Sequence, residues 1–197
     1  KDRLYTFNAK SSDRRAGQTV IARILVDLLR LLAPVIPFTC DEAWRHLPQH
    51  LRSMPHVHLD QFTEPVEAYI LSEDEVAKWD ELLRIRAVVS KALEEARRAG
   101  TIGSSLQAAV EIVPGSQVTA QVLQYFTDDL NDIFIVSKCD LLTQATEAEA
   151  AEEQVLVRVT PAPGSKCNRC WHVRESVGSV QDHPQLCHVC AEHIGVN

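Results

Sequence analysis

The sequence predicts a mainly α chain: a helical bundle first, then a small α+β domain, then a C-terminal module tied together through four cysteines. Three observations carry this. Long runs with apolar residues spaced i, i+3, i+4 and i+7 fill residues 1–100. Short runs rich in Val and Ile, interleaved with one helical stretch, fill residues 101–160. Two Cys-x-x-Cys pairs separated by 16 residues lie within residues 161–197.

The first helix is expected in "SSDRRAGQTVIARILVDLLRLLAP". Val20, Ile21, Ile24, Leu25, Leu28, Leu29 and Leu32 repeat with a helical period, which predicts one wide buried face. Ser11, Ser12 or Asp13 supplies the N-cap, and Pro34 with Pro37 ends the run. A second helix is expected in "FTCDEAWRHLP", opened by a Thr39/Glu42 capping box and closed by Pro48, with Trp44 and Leu47 on one core-facing side. Cys40, at its start, reads as a small buried side chain. Ser72 and Glu75 repeat the capping-box signal before "EDEVAKWDELLRIRAVVSKALEEARRAG". There Val76, Trp79, Leu82, Leu83, Val89 and Leu93 mark one side and Gly100 the C-terminal stop. That run has the length of a bundle member, roughly seven turns. Strands are expected in "LQAAVEIVPG", "DIFIVSKCDL" and "VLVRVTPA", and a helix in "SQVTAQVLQYFTDDL". The acidic, Ala-rich "TQATEAEAAEEQ" reads as a solvated loop or short helix.

Composition narrows the class. An apolar share of 45% and a mean hydropathy of −0.12 suit a globular chain. The most apolar stretch, "TVIARILVDLLRLLAPVIPF", carries Arg23, Asp27 and Arg30 and is too charged for a bilayer span, so no membrane partner is expected. No signal peptide opens the chain, and its first residue is Lys1 rather than Met, which reads as a fragment of something longer. A net charge of −7 argues mildly against nucleic acid, since phosphate contacts need Lys and Arg. The charge is uneven, however. Residues 1–60 carry nine Lys/Arg against six Asp/Glu, residues 101–160 two against nine, and residues 161–197 three against three. The basic end and the neutral cysteine end can face a polyanion while the acidic middle faces water; ordinary solvated charge is the alternative.

The chemistry-bearing motif is "KCNRCWHVRESVGSVQDHPQLCHVC". Two residues between thiols let a turn aim both sulfurs at one point, and two such turns complete a tetrahedral S4 cage suited to Zn2+, at about 2.3 Å per bond. The ligands are Cys167, Cys170, Cys187 and Cys190, and the module is zinc-ribbon-like. Both knuckles hold too few apolar side chains to form a core alone, so metal ligation supplies their folding energy. Paired redox motifs, disulfides and a mixed set drawing on His172, His183, His188 or His193 are the competing readings. Four thiolates already close the coordination sphere, so the histidines read as surface or outlying groups and the zinc as structural, not catalytic. The sequence shows no Gly-rich phosphate loop, nucleophile elbow or His-Glu-x-x-His helix, and no catalytic residue is assigned.

"KDRLYTF", "RRAGQTVIARILVDLLRLLAPVIPFTCDEAWRHLP", "HLDQF", "IGSSLQAAVEI" and the cysteine segment together resemble the C-terminal portion of bacterial isoleucyl-tRNA synthetases, over nearly the whole chain. The "PFTCDEAW" junction resembles the anticodon-binding helical bundle of class I synthetases for isoleucine, valine, leucine and methionine. The zinc knuckles with Trp171 directly after Cys170 narrow the resemblance to isoleucine. It implies a cytoplasmic ligase whose catalytic part uses ATP to activate isoleucine, and an isoleucine tRNA read at its anticodon stem-loop by this portion. Trp171 can stack on an unpaired base while Lys166, Arg169 and Arg174 hold phosphates. Alternatively, Trp171 packs as core of the knuckle. A second basic cluster is Lys1, Arg3, Arg14 and Arg15.

Two rival classes remain. The cysteine spacing also resembles the finger that ends formamidopyrimidine-DNA glycosylases, but the N-terminal proline nucleophile of those enzymes is absent and DNA is not expected as a partner. The other rival is a zinc-stapled interaction module with no RNA contact.

Overall fold

A computed structural model describes residues 2–142 and 155–194. The stretch "TQATEAEAAEEQ", residues 143–154, lies outside them, as does Lys1. The chain divides into two compact units, with the boundary between Ile70 and Leu71. No described helix is long and apolar enough to cross a membrane.

The first unit holds α1 (Asp2–Tyr5), α2 (Ser12–Leu32) and α3 (Pro37–His46). Ser11 caps α2 by accepting the Arg14 amide at 3.1 Å. The expected Thr39/Glu42 capping box is absent, because α3 begins earlier: Pro37, with its φ preset, occupies the first turn, and no side chain caps Ile36. Thus Pro37 starts α3 rather than finishing α2, which stops at Leu32. Trp44 and Leu47 are buried as expected, together with Cys40, Val26, Leu29, Ala33 and Val57. Trp44 donates its Nε1–H to the Met54 carbonyl at 2.9 Å, so the indole is satisfied where it is buried.

The wide buried face expected of α2 is corrected by the structure. Of its apolar stripe only Leu29 is buried, joined by Val26, while Val20, Ile21, Ile24, Leu25, Leu28 and Leu32 face solvent, as do Val35, Ile36 and Phe38 beyond the helix. Periodicity tells which face is apolar; it does not tell what covers it. The opposite side of α2 is held by a polar clasp. Arg30 donates to Asp60 Oδ2 from Nε (3.0 Å) and Nη2 (2.8 Å) and to Thr63 Oγ1 from Nη1 (3.0 Å). Thr63 Oγ1 in turn donates to Asp27 at 2.6 Å.

The second unit starts with α4 (Glu73–Arg98). Its start is the expected capping box: Ser72 Oγ accepts the Glu75 amide and the Glu75 carboxylate accepts the Ser72 amide at 2.9 Å. At its end Gly100 has φ +75, and Gly100 and Thr101 donate to the Arg97 and Ala96 carbonyls, the two bonds of a Schellman stop. α4 places Leu82, Ile85, Val89 and Leu93 in the core of the second unit. Val76, Trp79 and Leu83 of the expected stripe are exposed, and Ile85, which the stripe left out, is fully buried.

That core is closed by a three-stranded sheet in the order β2-β1-β3, from β1 (Ala108–Val113), β2 (Lys138–Leu141) and β3 (Leu156–Pro161). β1 is central and buried at nearly every position, which explains its unbroken apolar run. It pairs in parallel with β2 through α5 (Gln117–Tyr125) and α6 (Leu130–Phe134), and antiparallel with β3. The second expected strand is therefore shorter than its sequence suggested. "DIF" belongs to α6, whose Leu130 and Phe134 are buried, and Ile135 reverses the chain with φ +59 before β2 begins. A buried β-rich run and a short buried helix carry the same composition, and length alone did not separate them.

Candidate metal centre and nucleic-acid interface

The last described segment forms a hairpin, β4 (Ser165–Lys166) with β5 (Val173–Arg174), followed by α7 (His188–Glu192). The first knuckle is the tip of the hairpin. Trp171 donates its amide to the Cys167 carbonyl at 3.0 Å and Cys167 donates to the His172 carbonyl at 2.9 Å, turning the chain so that Cys167 and Cys170 point one way. The second knuckle is the entry into α7, where Cys187 is the N-cap residue and Cys190 lies one turn on. Asn168 joins the two: its amide donates to the Gln185 carbonyl at 3.1 Å and its side chain to Gln185 Oε1 at 2.7 Å.

All four sulfurs are buried and lie within 4.8 Å of one another. Cys170 and Cys187 Sγ are 3.8 Å apart, far beyond a disulfide and equal to the edge of a tetrahedron with bonds of about 2.3 Å. All six cysteines are free thiols. Among the described residues, no histidine belongs to the cluster. His172 is buried, and His188 is exposed, its Nδ1 2.9 Å from Ser176 Oγ.

The electrostatics of the cage call for a cation. Burial would raise the Cys167 thiol, but the amides of Cys170, Cys187 and Arg169 bring it down to about 6. Burial, with the nearby Cys187 and Cys167 sulfurs, pushes Cys170 up to about 12, and burial with Cys170 raises Cys190 further still. The Cys167 thiolate forms readily, whereas burial and the neighbouring sulfurs hold Cys170 and Cys190 protonated. A dication at the centre removes that repulsion and deprotonates the set, which is the chemistry a soft S4 donor set offers Zn2+. Such a site is closed and supplies stability, with no open position for substrate.

Trp171 stands beside this cage, 53% exposed and with its backbone left-handed at φ +70. It is not knuckle core. A non-Gly residue there costs about 1–2 kcal/mol, and bulky side chains rarely accept it. Lys166, exposed, puts its ammonium 5.6 Å from the ring centre. Arg169 and Arg174 are half-buried, and Arg174 Nε is enclosed without a hydrogen-bond partner. In the first unit Arg3 and Arg15 are exposed, whereas half-buried Arg14 donates from Nη1 to the Phe7 carbonyl at 2.9 Å and so braces the α1–α2 turn. Lys1 falls outside the described residues.

Sequence reasoning passed over Gly164. It has φ +103, and a Cβ there would fall 2.3 Å from the Arg174 carbonyl carbon, so only glycine lets the hairpin strands close. The Pro163-Gly164 pair was the available signal. The Asn168–Gln185 bridge had no signal at all, since its partners meet only in the folded knuckles.

Comparison with known proteins agrees with this geometry. Residues 164–192 match the family described as a zinc finger found in FPG and IleRS. The chain is 42% identical over 97% of its length to an isoleucine–tRNA ligase of Moorella thermoacetica. It is 42% identical over 98% to one of Caldanaerobacter subterraneus, and 41% identical over 95% to one of Geobacter sulfurreducens. It spans about a fifth of the length of these relatives, 20–21%. Residues 1–112, more than half of the chain, match the family described as the anticodon-binding domain of tRNA ligase, and to that family the chain belongs.

Proposed function

We propose that this chain is the tRNA-gripping portion of a cytoplasmic isoleucine–tRNA ligase, that it holds one structural Zn2+, and that it reads the anticodon stem-loop of isoleucine tRNA. Activation of isoleucine with ATP belongs to the remainder of that enzyme. The observation that carries the reading is Trp171: an exposed indole, fixed in a costly backbone conformation on a cage of four buried sulfurs, with a lysine at its edge. An unpaired base stacked on such a ring gains about 1–3 kcal/mol, and a lysine beside it reaches the same nucleotide's phosphate. The exposed apolar stripe of α2, from Val20 to Leu32, supports a second partner, the rest of the same enzyme, because apolar stripes of this kind are seated against another element.

The test is a binding titration of isoleucine tRNA and a non-cognate tRNA across ionic strength. RNA binding gives a falling log K against log salt and a preference for the isoleucine tRNA. A zinc-stapled module without RNA contact gives no measurable binding at any salt.

A further inference from the structure

We infer that Ser137 is a positioning residue for the Trp171 platform, acting from the sheet domain through one buried hydroxyl. A left-handed tryptophan persists only where the flanking backbone is pinned on both sides. On the N-terminal side the pin is the first knuckle, through the Trp171 amide on Cys167. On the C-terminal side His172 gives its carbonyl to the Cys167 amide, and the next amide, that of Val173, donates to Ser137 Oγ at 2.7 Å. Ser137 lies 36 residues back along the chain, immediately before β2, and is 8% exposed.

Ser137 is itself fixed. Its amide donates to the Ala108 carbonyl at 3.1 Å, at the start of β1, and its hydroxyl donates to the Leu106 carbonyl at 2.6 Å. With its proton committed to Leu106, the oxygen turns a lone pair to Val173, so one hydroxyl is donor to the sheet domain and acceptor from the knuckle. The sheet core thereby orients the turn that carries the indole. Loss of the hydroxyl leaves a buried amide and a buried carbonyl short of a partner, and the turn relaxes to satisfy them. The inference rests on the reading of Trp171 as a base platform, and its test separates the two.

The full chain is labelled with 5-fluorotryptophan, which reports Trp44, Trp79 and Trp171 by 19F NMR, and is titrated with a hairpin RNA carrying the isoleucine anticodon loop. Ser137→Ala is expected to move the Trp171 resonance and leave that of Trp44 in place. Zinc content stays at the wild-type level, and hairpin affinity falls about three- to tenfold, the range expected for one buried hydrogen bond. Ser137→Thr, which keeps the hydroxyl, restores both signals. In a Trp171→Ala background Ser137→Ala costs nothing further. An equal loss in that background, or an unmoved Trp171 resonance, overturns the inference. If Trp171→Ala binds the hairpin like wild type while Ser137→Ala still moves the resonance, the base-platform reading fails and the positioning stands. Should the alanine variant not fold, hydrogen exchange in the unaltered protein decides: the Val173 amide is expected to be protected like those of β1, and free exchange there overturns the inference.

Discussion

The Lys166 ammonium lies 5.6 Å from the centre of the Trp171 ring: Lys166 ends β4, and Trp171 lies in the first zinc knuckle, the tip that joins β4 to β5. Lys166 pairs with Val173, which closes the hairpin at the base of that knuckle. A cation–π contact at an exposed site is worth about 0.5–1 kcal/mol, less than the cost of left-handed backbone at Trp171. The arrangement therefore stabilises a presented ring rather than the fold.

Replacing Trp171 separates strain from function. Trp171→Gly and Trp171→Ala both remove the ring, but only glycine accepts φ +70 without a Cβ penalty. The glycine variant is expected to be more stable than the alanine variant by about 1 kcal/mol, read as the midpoint of chelator- or heat-induced unfolding of the zinc module. Both are expected to lose hairpin RNA affinity alike, roughly fivefold or more. Equal stability of the two variants would remove the strain argument.

Metal removal is expected to act locally. Chelation, or Cys187→Ser, leaves segment 164–192 without its folding energy, because its apolar complement beyond the sulfurs is Val177, Leu186 and Val189. The core around Trp44 in the first unit contains no ligand and should keep its amide protection. Metal analysis is expected to give one zinc per chain in the parent and less in the treated or substituted protein, and hydrogen exchange resolved by peptide should show the loss confined to the zinc segment.

Gly164→Ala should be damaging although it adds one methyl group. The new Cβ meets the Arg174 carbonyl carbon at 2.3 Å, its oxygen at 2.4 Å and the Glu175 nitrogen at 2.5 Å, all backbone, and φ is +103. Backbone atoms cannot rotate away, so β4 and β5 must part. A loss of about 2 kcal/mol or more is expected, seen as faster zinc release to a competing chelator.

Stability at acid pH should depend on Asp60. Burial would raise its carboxyl, but hydrogen bonds from Ser53 and Arg30 hold it below the ordinary value of 3.8. A depressed folded-state pKa gives stability that is present above 3.8 and is lost as pH falls through the folded value. The difference in unfolding free energy between the parent and Asp60→Asn should therefore shrink below about pH 4 and stay level from there to neutrality. Arg30→Ala, which strands the carboxylate, should cost about 2–3 kcal/mol at pH 7 by denaturant unfolding of the first unit.

Loss of the α4 cap is a smaller effect. Ser72→Ala removes the acceptor for the Glu75 amide and the partner of its carboxylate, and should lower stability by about 1 kcal/mol, read by denaturant unfolding of the second unit.

Several of these features are legible in the chain because their determinants are local. The Ser72/Glu75 box and the Gly100 stop each involve groups a few residues apart, and both stand where the sequence puts them. The Thr39/Glu42 box has the same spelling and fails, because Pro37 two residues earlier sets the helix start by covalent geometry and leaves Thr39 inside the first turn. Likewise "DIF" and "AAVEIV" are both short apolar runs, but only the second lies between two strands that take its amides and carbonyls.

Sequence alone picked out the four cysteines that could hold a metal, since two pairs of thiols at knuckle spacing suit one soft tetrahedral cage. The structure adds only that all four sulfurs converge and are buried. What tertiary structure decided is everything that depends on a partner distant along the chain. It set which side of α2 is covered, placed α4 in the second core, exposed Trp171 rather than burying it, and brought Ser137 to the Val173 amide. Ligand spacing and caps are fixed by bond geometry over a few residues, whereas burial and long-range hydrogen bonds depend on which surfaces fold together, and no local pattern encodes that choice.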